Sequence, residues 1–388
     1  MAGITLHGIT WGHSRGITPL LAASQRYNEL YPGIEIIWKK RTLQQFADFP
    51  IEELTKNYDL LIIDHPWVGT ANATNCVLPL NEYMPAAYLN DQQKNSVGNS
   101  HLSYNYNNKQ WALAIDAATP AASYRKDLIE NNHTRLPASW NELITLAQTG
   151  KVAVPAIPID LLMNFYTFCI AHGEAPFQND FEVVNRETAM AAIETMKELY
   201  TAVDKKMFNC NPIAVAELMS TTDDYWYCPF AYGYSNYSRA GFATNLLHYA
   251  DVLSFNGKKL RTTIGGTGLA VSSFCKNKEA AIDFAMMVAS ATCQQTLYVQ
   301  HGGQPGHRSA WLDADANHLT HNFFKNILPV MDNGYVRPRY HGYLHFQDQA
   351  GVPLQKCLMG QLDNLTTLEK MNRIYQQSLI HKQSIATA

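Results

Sequence analysis

The chain has 388 residues, enough for two domains of ordinary size. Hydrophobic residues make up 46% of it, but charged residues only 16%, below the roughly 25% usual for globular proteins, so polarity falls to Asn, Gln, Ser, Thr and 21 Tyr. A formal net charge of −3 without a run of Lys or Arg excludes a nucleic-acid stripe, and no basic amphipathic segment suits a membrane surface.

The first twenty residues carry His7, His13 and Arg15 within the apolar stretch. That pattern is not a secretory leader, which needs a basic start and about 7–15 uninterrupted apolar residues. No run of about 18 apolar residues could insert in a membrane. As it stands the sequence reads as cytoplasmic; it reads as periplasmic or cell-surface if a leader has been removed. Residues 4–11 alternate as a first strand, and Gly12 to Gly16 read as a loop. Thr18-Pro19 is expected to open a helix, which Pro32-Gly33 ends. Ile34 to Lys39 is a β-branched second strand, and Glu52 to Lys56 falls in a second helix. Tyr58 to Asp64 is a continuous apolar run ending in an acid, the pattern of a buried parallel strand with function at its carboxyl end. Strand and helix alternate here, so the fold class is α/β. Further on, Glu187 to Val203 is an amphipathic helix, Tyr225 to Tyr234 is the densest aromatic run, and Leu362 to Leu379 reads as a terminal helix. Ser384 to Ala388 are expected to fray.

Several segments, in order, resemble one family. They are Tyr31-Pro32-Gly33-Ile34-Glu35-Ile36, the strand ending at Asp64, Gln110 to Asp116 with Thr119 and Tyr124 to Leu128, and Pro137 to Leu143. Thr263 to Val271, Lys278 to Phe284, and Gly302-Gly303-Gln304-Pro305 with Arg308 complete the series. Their order and spacing are similar to family 1 extracellular solute-binding proteins, the sugar-type receptors of ABC importers. The resemblance implies a two-lobed, periplasmic-binding-protein-like fold with two hinge crossings and a ligand cleft between the lobes. It implies an N-terminal lobe of 1–113 plus about 264–310, and a C-terminal lobe of about 114–263 plus 311–388. It also implies a monomer that captures a small polar, carbohydrate-like ligand and hands it to permease subunits. No cofactor is expected.

Candidate ligand residues follow. Trp11, His13 and Arg15 leave strand one, where Trp can stack on a ring and Arg can make a bidentate contact; the competing reading is a surface turn. Asp64, His65 and Trp67 end strand three. The first two can read paired hydroxyls or act as acid and base, or Asp64 caps a helix while His65 packs. Asp116 and Thr119 follow the first crossing, and Gly266 and Thr267 lie in the return crossing, whose glycines suit a hinge or a bulged strand. Tyr166, Gln304 and Tyr340 are further candidates. Tyr232, Tyr234, Asn236, Tyr237 and Arg239 form a polar aromatic patch. Arg339, with Arg15, Arg41 and Arg308, suggests an anionic group on the ligand, interlobe salt bridges being the alternative.

Metal chemistry gains no support: the 14 His form no HExxH, and no CxxC joins the seven scattered Cys. Unpaired thiols suit a reducing compartment and sit badly with export. Whether the chain is an enzyme therefore stays open. The alternatives to transport are a cytosolic enzyme on the same scaffold, thiaminase-I-like or using acid/base chemistry, and a ligand-sequestering protein. An enzyme would draw on Asp64, His65 and Cys76, although Cys76 also reads as a core thiol.

Overall fold

The computed structural model describes residues 3–42 and 50–383. The terminal segment expected to fray, 384–388, lies outside them. Eight strands build the two larger sheets: β1 (Ile4–Trp11), β2 (Ile34–Arg41), β3 (Leu60–Ile63), β4 (Leu113–Ala118), β5 (Pro120–Tyr124), β6 (Tyr227–Tyr232), β7 (His248–Ala250) and β8 (Gly265–Val271). Contacts divide the chain into two compact units. Unit 1 is Met1–Ala118, Ile264–Thr320 and Arg339–His341; unit 2 is Thr119–Thr263, His321–Pro338 and Gly342–Ala388.

In unit 1 the sheet order is β2-β1-β3-β8-β4. β1 is parallel to β2 and β3, while β8 runs antiparallel to β3 and to β4. The carboxyl ends of β1 to β4 and the amino end of β8 therefore share one edge. All four residues of β3 are buried, which explains its uninterrupted apolar sequence.

The first helix, α1 (Ser14–Leu30), starts earlier than Thr18-Pro19 implied. His13 is its cap, its Nδ1 accepting the Arg15 N–H at 3.0 Å. Gly16 is helical; a Cβ there would lie 2.4 Å from the Trp11 indole, so the glycine makes room for the ring instead of marking a loop. Pro19 lies inside the helix.

Gly266 has φ +104°, and a Cβ on it would meet the Asp116 carbonyl oxygen at 2.3 Å. Any side chain there must push β8 off β4. Gly266→Ala should lower the stability of unit 1 by at least about 2 kcal/mol, read as a drop in denaturant midpoint. An unchanged midpoint would show that the strand pair yields freely.

Unit 2 centres on the antiparallel sheet β6-β5-β7. Helices Pro158–Ala171, Arg186–Ala202, Tyr343–Leu358 and Asn364–Gln383 pack as a layer, with Phe177 edge-on to Tyr166, Tyr343, Phe346 and Tyr375.

Candidate functional site

In open α/β sheets, ligands bind outside the carboxyl ends of the strands where strand order reverses. In unit 1 that point lies between β1 and β3, since β2 flanks β1 on one side and β3 on the other. The segments after β1 and β3 are His13 to Arg15 and Asp64 to Trp67, two of the groups singled out from sequence.

The first group is tightly built. Trp11 stacks on His13 with centroids 5.6 Å apart and rings 15° from parallel, and the Arg15 guanidinium lies 5.7 Å from the Trp11 centroid. Arg15 donates to Asp116 on β4 through Nε at 2.8 Å and Nη2 at 2.5 Å, both side chains being buried. Asp116 also accepts the Thr267 backbone N–H. Burial pushes the Asp116 carboxyl up, and the Arg15 fork and the Thr267 N–H oppose it; two short, charge-assisted bonds in fork geometry keep the pair ionised. Burial, with Arg15 close by, pushes His13 down to about 4, so its imidazole is neutral at physiological pH. Trp11, His13, Arg15, Asp116, Gly266 and Thr267 thus come together from three strands and one helix end, as a preorganised and largely buried aromatic and polar cluster in which His13 and Gly266 are part-exposed.

The second group shows capping geometry. Asp64 accepts the His65 backbone N–H at 2.8 Å, opening the 3-10 turn His65–Trp67. The same oxygen lies 3.3 Å from His65 Nδ1, and the His65 ring is wholly buried, edge-on to Tyr104. Trp67 is buried, and its indole N–H has no acceptor among the described residues. At the end of β2, the buried Arg41 donates to the Ile62 carbonyl at 3.2 Å, and burial pushes it down to about 10, still cationic.

Other expected positions have local tasks. Gln304 pins its turn to β4, donating to the Ala117 carbonyl at 2.7 Å and accepting from Ala117 through its own carbonyl at 2.9 Å. Arg308 donates to the Ser96 carbonyl. Arg339 donates to the carbonyls of Leu102, Ser103 and Asn105, fixing Arg339-Tyr340-His341 against unit 1. Through Nη1 alone, Arg339 braces three backbone oxygens of unit 1.

In unit 2, Thr119 Oγ1 bonds to Thr262 Oγ1 at 2.8 Å and donates to the Thr263 carbonyl at 3.0 Å, while Tyr232 Oη bonds to Thr263 Oγ1 at 2.8 Å. These ties join two of the points where the chain enters or leaves the unit. Tyr234, Ser235 and Asn236 follow β6 in a buried 3-10 turn, Ser235–Ser238, with the Tyr234 backbone bonded to the Tyr249 hydroxyl. Tyr166 is fully buried in the aromatic core, its hydroxyl 3.3 Å from that of Tyr343. Core packing accounts for its ring.

Residues 22–322 match the protein family described as bacterial extracellular solute-binding protein. The chain belongs to that family. Solved structures with the same fold include the maltose-bound MalE3 of T. maritima, at a TM-score of 0.84 and 16% identity over 97% of this chain and 100% of that one. A ribitol complex of an ABC transporter solute-binding protein from Agrobacterium radiobacter K84 aligns at 0.81 with 18% identity over 97% and 98%. An alpha-D-tagatose complex from Thermotoga lettingae aligns at 0.78 with 17% identity over 96% and 100%. The fold is therefore that of the two-lobed periplasmic binding proteins.

For a solute-binding protein, seven unpaired cysteines seemed out of place in the sequence. All seven are buried in the structure. Burial pushes up the thiols of Cys76, Cys169, Cys210, Cys228, Cys275 and Cys293, with Cys228 and Cys275 near 12 and Cys293 near 11. A thiol held protonated is a poor nucleophile and slow to oxidise. We expect native protein at pH 7.5 to react with iodoacetamide at least 100-fold more slowly than unfolded protein at every Cys, followed by peptide mass spectrometry. Fast labelling of Cys76 alone would favour covalent catalysis. Among the described residues no helix is long and apolar enough to cross a membrane, and no three His, Cys, Asp or Glu are placed to hold a metal.

Proposed function

We propose that this protein is the solute-binding component of an ABC importer and that its solute is a carbohydrate or polyol. The observation that carries the reading is the Trp11, His13, Arg15, Asp116 and Thr267 cluster, set at the strand-order reversal of unit 1 in a chain of this family. An aromatic face beside fixed, charge-assisted hydrogen-bond groups suits a ring that carries hydroxyls. The solved neighbours with maltose, ribitol and tagatose are consistent with that solute class. Asp64, His65, Trp67, Tyr232, Tyr234 and Asn236 are proposed as further ligand positions. Permease subunits of the importer are the proposed protein partners, and the extracytoplasmic side is the proposed location, where buried thiols resist oxidation.

The test is a thermal-shift screen of purified protein against mono- and disaccharides, polyols and sugar acids, with each hit re-examined by mass spectrometry. A solute at about 100 times its dissociation constant adds roughly 2.7 kcal/mol of stability, a clear rise in melting temperature. A hit recovered unchanged supports solute binding. A hit that is consumed overturns it in favour of an enzyme.

A further inference from the structure

Among the described residues five arginines are buried: Arg15, Arg41, Arg125, Arg239 and Arg337. Four have acceptors. Arg15 holds Asp116, Arg125 holds Asp127, Asp223 and two carbonyls, Arg41 holds the Ile62 carbonyl, and Arg337 holds Gln347. Arg239 is the exception. It is 8% exposed, its Nε and Nη2 are buried without a hydrogen-bond partner, and it makes no ion pair among the described residues. Burial pushes it down to about 10, so it stays a cation.

The backbone around it is held firmly. Arg239 follows the turn Ser235–Ser238; its N–H donates to the Asn236 carbonyl, and its carbonyl accepts from Phe242. The turn itself is tied by Ser238 Oγ to the Leu247 carbonyl at 2.7 Å, by His321 Nδ1 at 2.8 Å from the Ser238 carbonyl, and by Tyr237 Oη to Glu217 at 2.6 Å. A guanidinium with buried donors and no acceptor costs folding free energy. Such a cost, on a backbone that holds the group in place, is the mark of a site that awaits an anion. Tyr232, Tyr234 and Asn236, proposed above as ligand positions, lie on the strand and turn that lead into Arg239.

We infer that the solute bears a carboxylate or phosphate group and that Arg239 is the cation that receives it. The inference rests on the solute-binding reading above and narrows its solute to acidic sugars, a uronate or a sugar phosphate. Guanidinium pairs with either group through two parallel N–H donors.

The experiment is calorimetric titration of wild type, Arg239→Gln and Arg239→Lys with D-glucuronate, D-galacturonate and glucose 6-phosphate, each beside D-glucose or D-galactose. Wild type should bind an acidic sugar on the order of 100-fold tighter than its neutral counterpart, and Arg239→Gln should abolish that preference without weakening the neutral sugar. Arg239→Lys, which keeps charge and loses the fork, should retain part of it. The carboxylate and phosphate arms tell which acid is meant. Equal affinity for acidic and neutral sugars, or an acidic-sugar affinity indifferent to Arg239→Gln, overturns the inference and leaves solute binding standing. Binding of none of the five, with no stabilisation in the wider screen, overturns both. Melting of unliganded Arg239→Gln gives a second check. It should match or exceed wild type, and a fall of several degrees would assign the guanidinium to holding the fold.

Discussion

Replacing Arg15 with Met should destabilise unit 1 by about 3–5 kcal/mol, because it leaves the Asp116 carboxylate buried without its counter-ion. Unfolding should become easier as pH rises. Without Arg15, the carboxyl pKa set by burial stands above its unfolded value, so the folded state holds a proton that the unfolded state releases. Stability is then fully present below about pH 4 and is lost as pH rises through the raised value. In the wild type the Arg15 fork opposes the rise that burial causes, so the slope at this site should be smaller. The double variant Arg15→Met with Asp116→Leu removes both charges and should regain most of the lost stability, since an apolar pair of similar volume often serves as well as a buried ion pair. It should not regain solute affinity. A double variant that binds normally would remove the pair from the proposed site and leave it a structural strut. Denaturant midpoints at pH 5 and pH 8, with titration of the solute found in the screen, decide between these outcomes.

The second large effect lies in unit 2. Asp160 sits in the first turn of helix Pro158–Ala171, a place where helix amides favour a carboxylate. Burial overrides that preference and pushes its carboxyl up to about 8, with Oδ2 lacking a hydrogen-bond partner among the described residues. The folded value lies above the unfolded one. The protonated acid therefore supports the fold fully below about pH 4, and the support drains away as pH rises to about 8. Asp160→Asn keeps the shape and cannot ionise. It should melt close to wild type at pH 4 and several degrees higher at pH 8, corresponding to a gain on the order of 3 kcal/mol. Parallel pH profiles for the two proteins would show that Asp160 is ionised in the native state.

Much of the fold was legible in the sequence because its signals are local. The alternation of residues 4–11, the apolar run closing at Asp64, the β-branched glycine segment at 263–271 and the amphipathic face of 187–203 each became the element expected. Where local signals competed, tertiary packing won. Gly12, Gly16 and Pro19 together imitate a loop and a helix start, yet Gly16 is small to admit Trp11, and the helix begins at Ser14 under a histidine cap that standard cap residues do not suggest. Site chemistry was less legible. Arg339 and Arg239 look alike in sequence, each among tyrosines, but one finds backbone carbonyls from residues more than 230 positions away, and the Nε and Nη2 of the other find no acceptor among the described residues. Acceptors supplied by distant backbone leave no trace in composition. Asp160 did leave one, a lone acid inside the apolar run Pro158 to Met163, and that interruption was the signal to follow.

The position of β8 sets a schedule for synthesis. This strand lies between β3 and β4 yet follows β4 by a long stretch of chain: Ala118 ends β4 and Val271 ends β8, and 271 − 118 is 153 residues. At ribosomal rates of about 5–20 residues per second, β3 and β4 wait roughly 10–30 s with unsatisfied, apolar edges. Meanwhile β5, β6 and β7 emerge and can pair among themselves. The sheet of unit 2 is thus available to fold first, nested inside the unfinished unit 1, and the nascent chain is open to a chaperone that grips strand edges until residue 271 has left the tunnel.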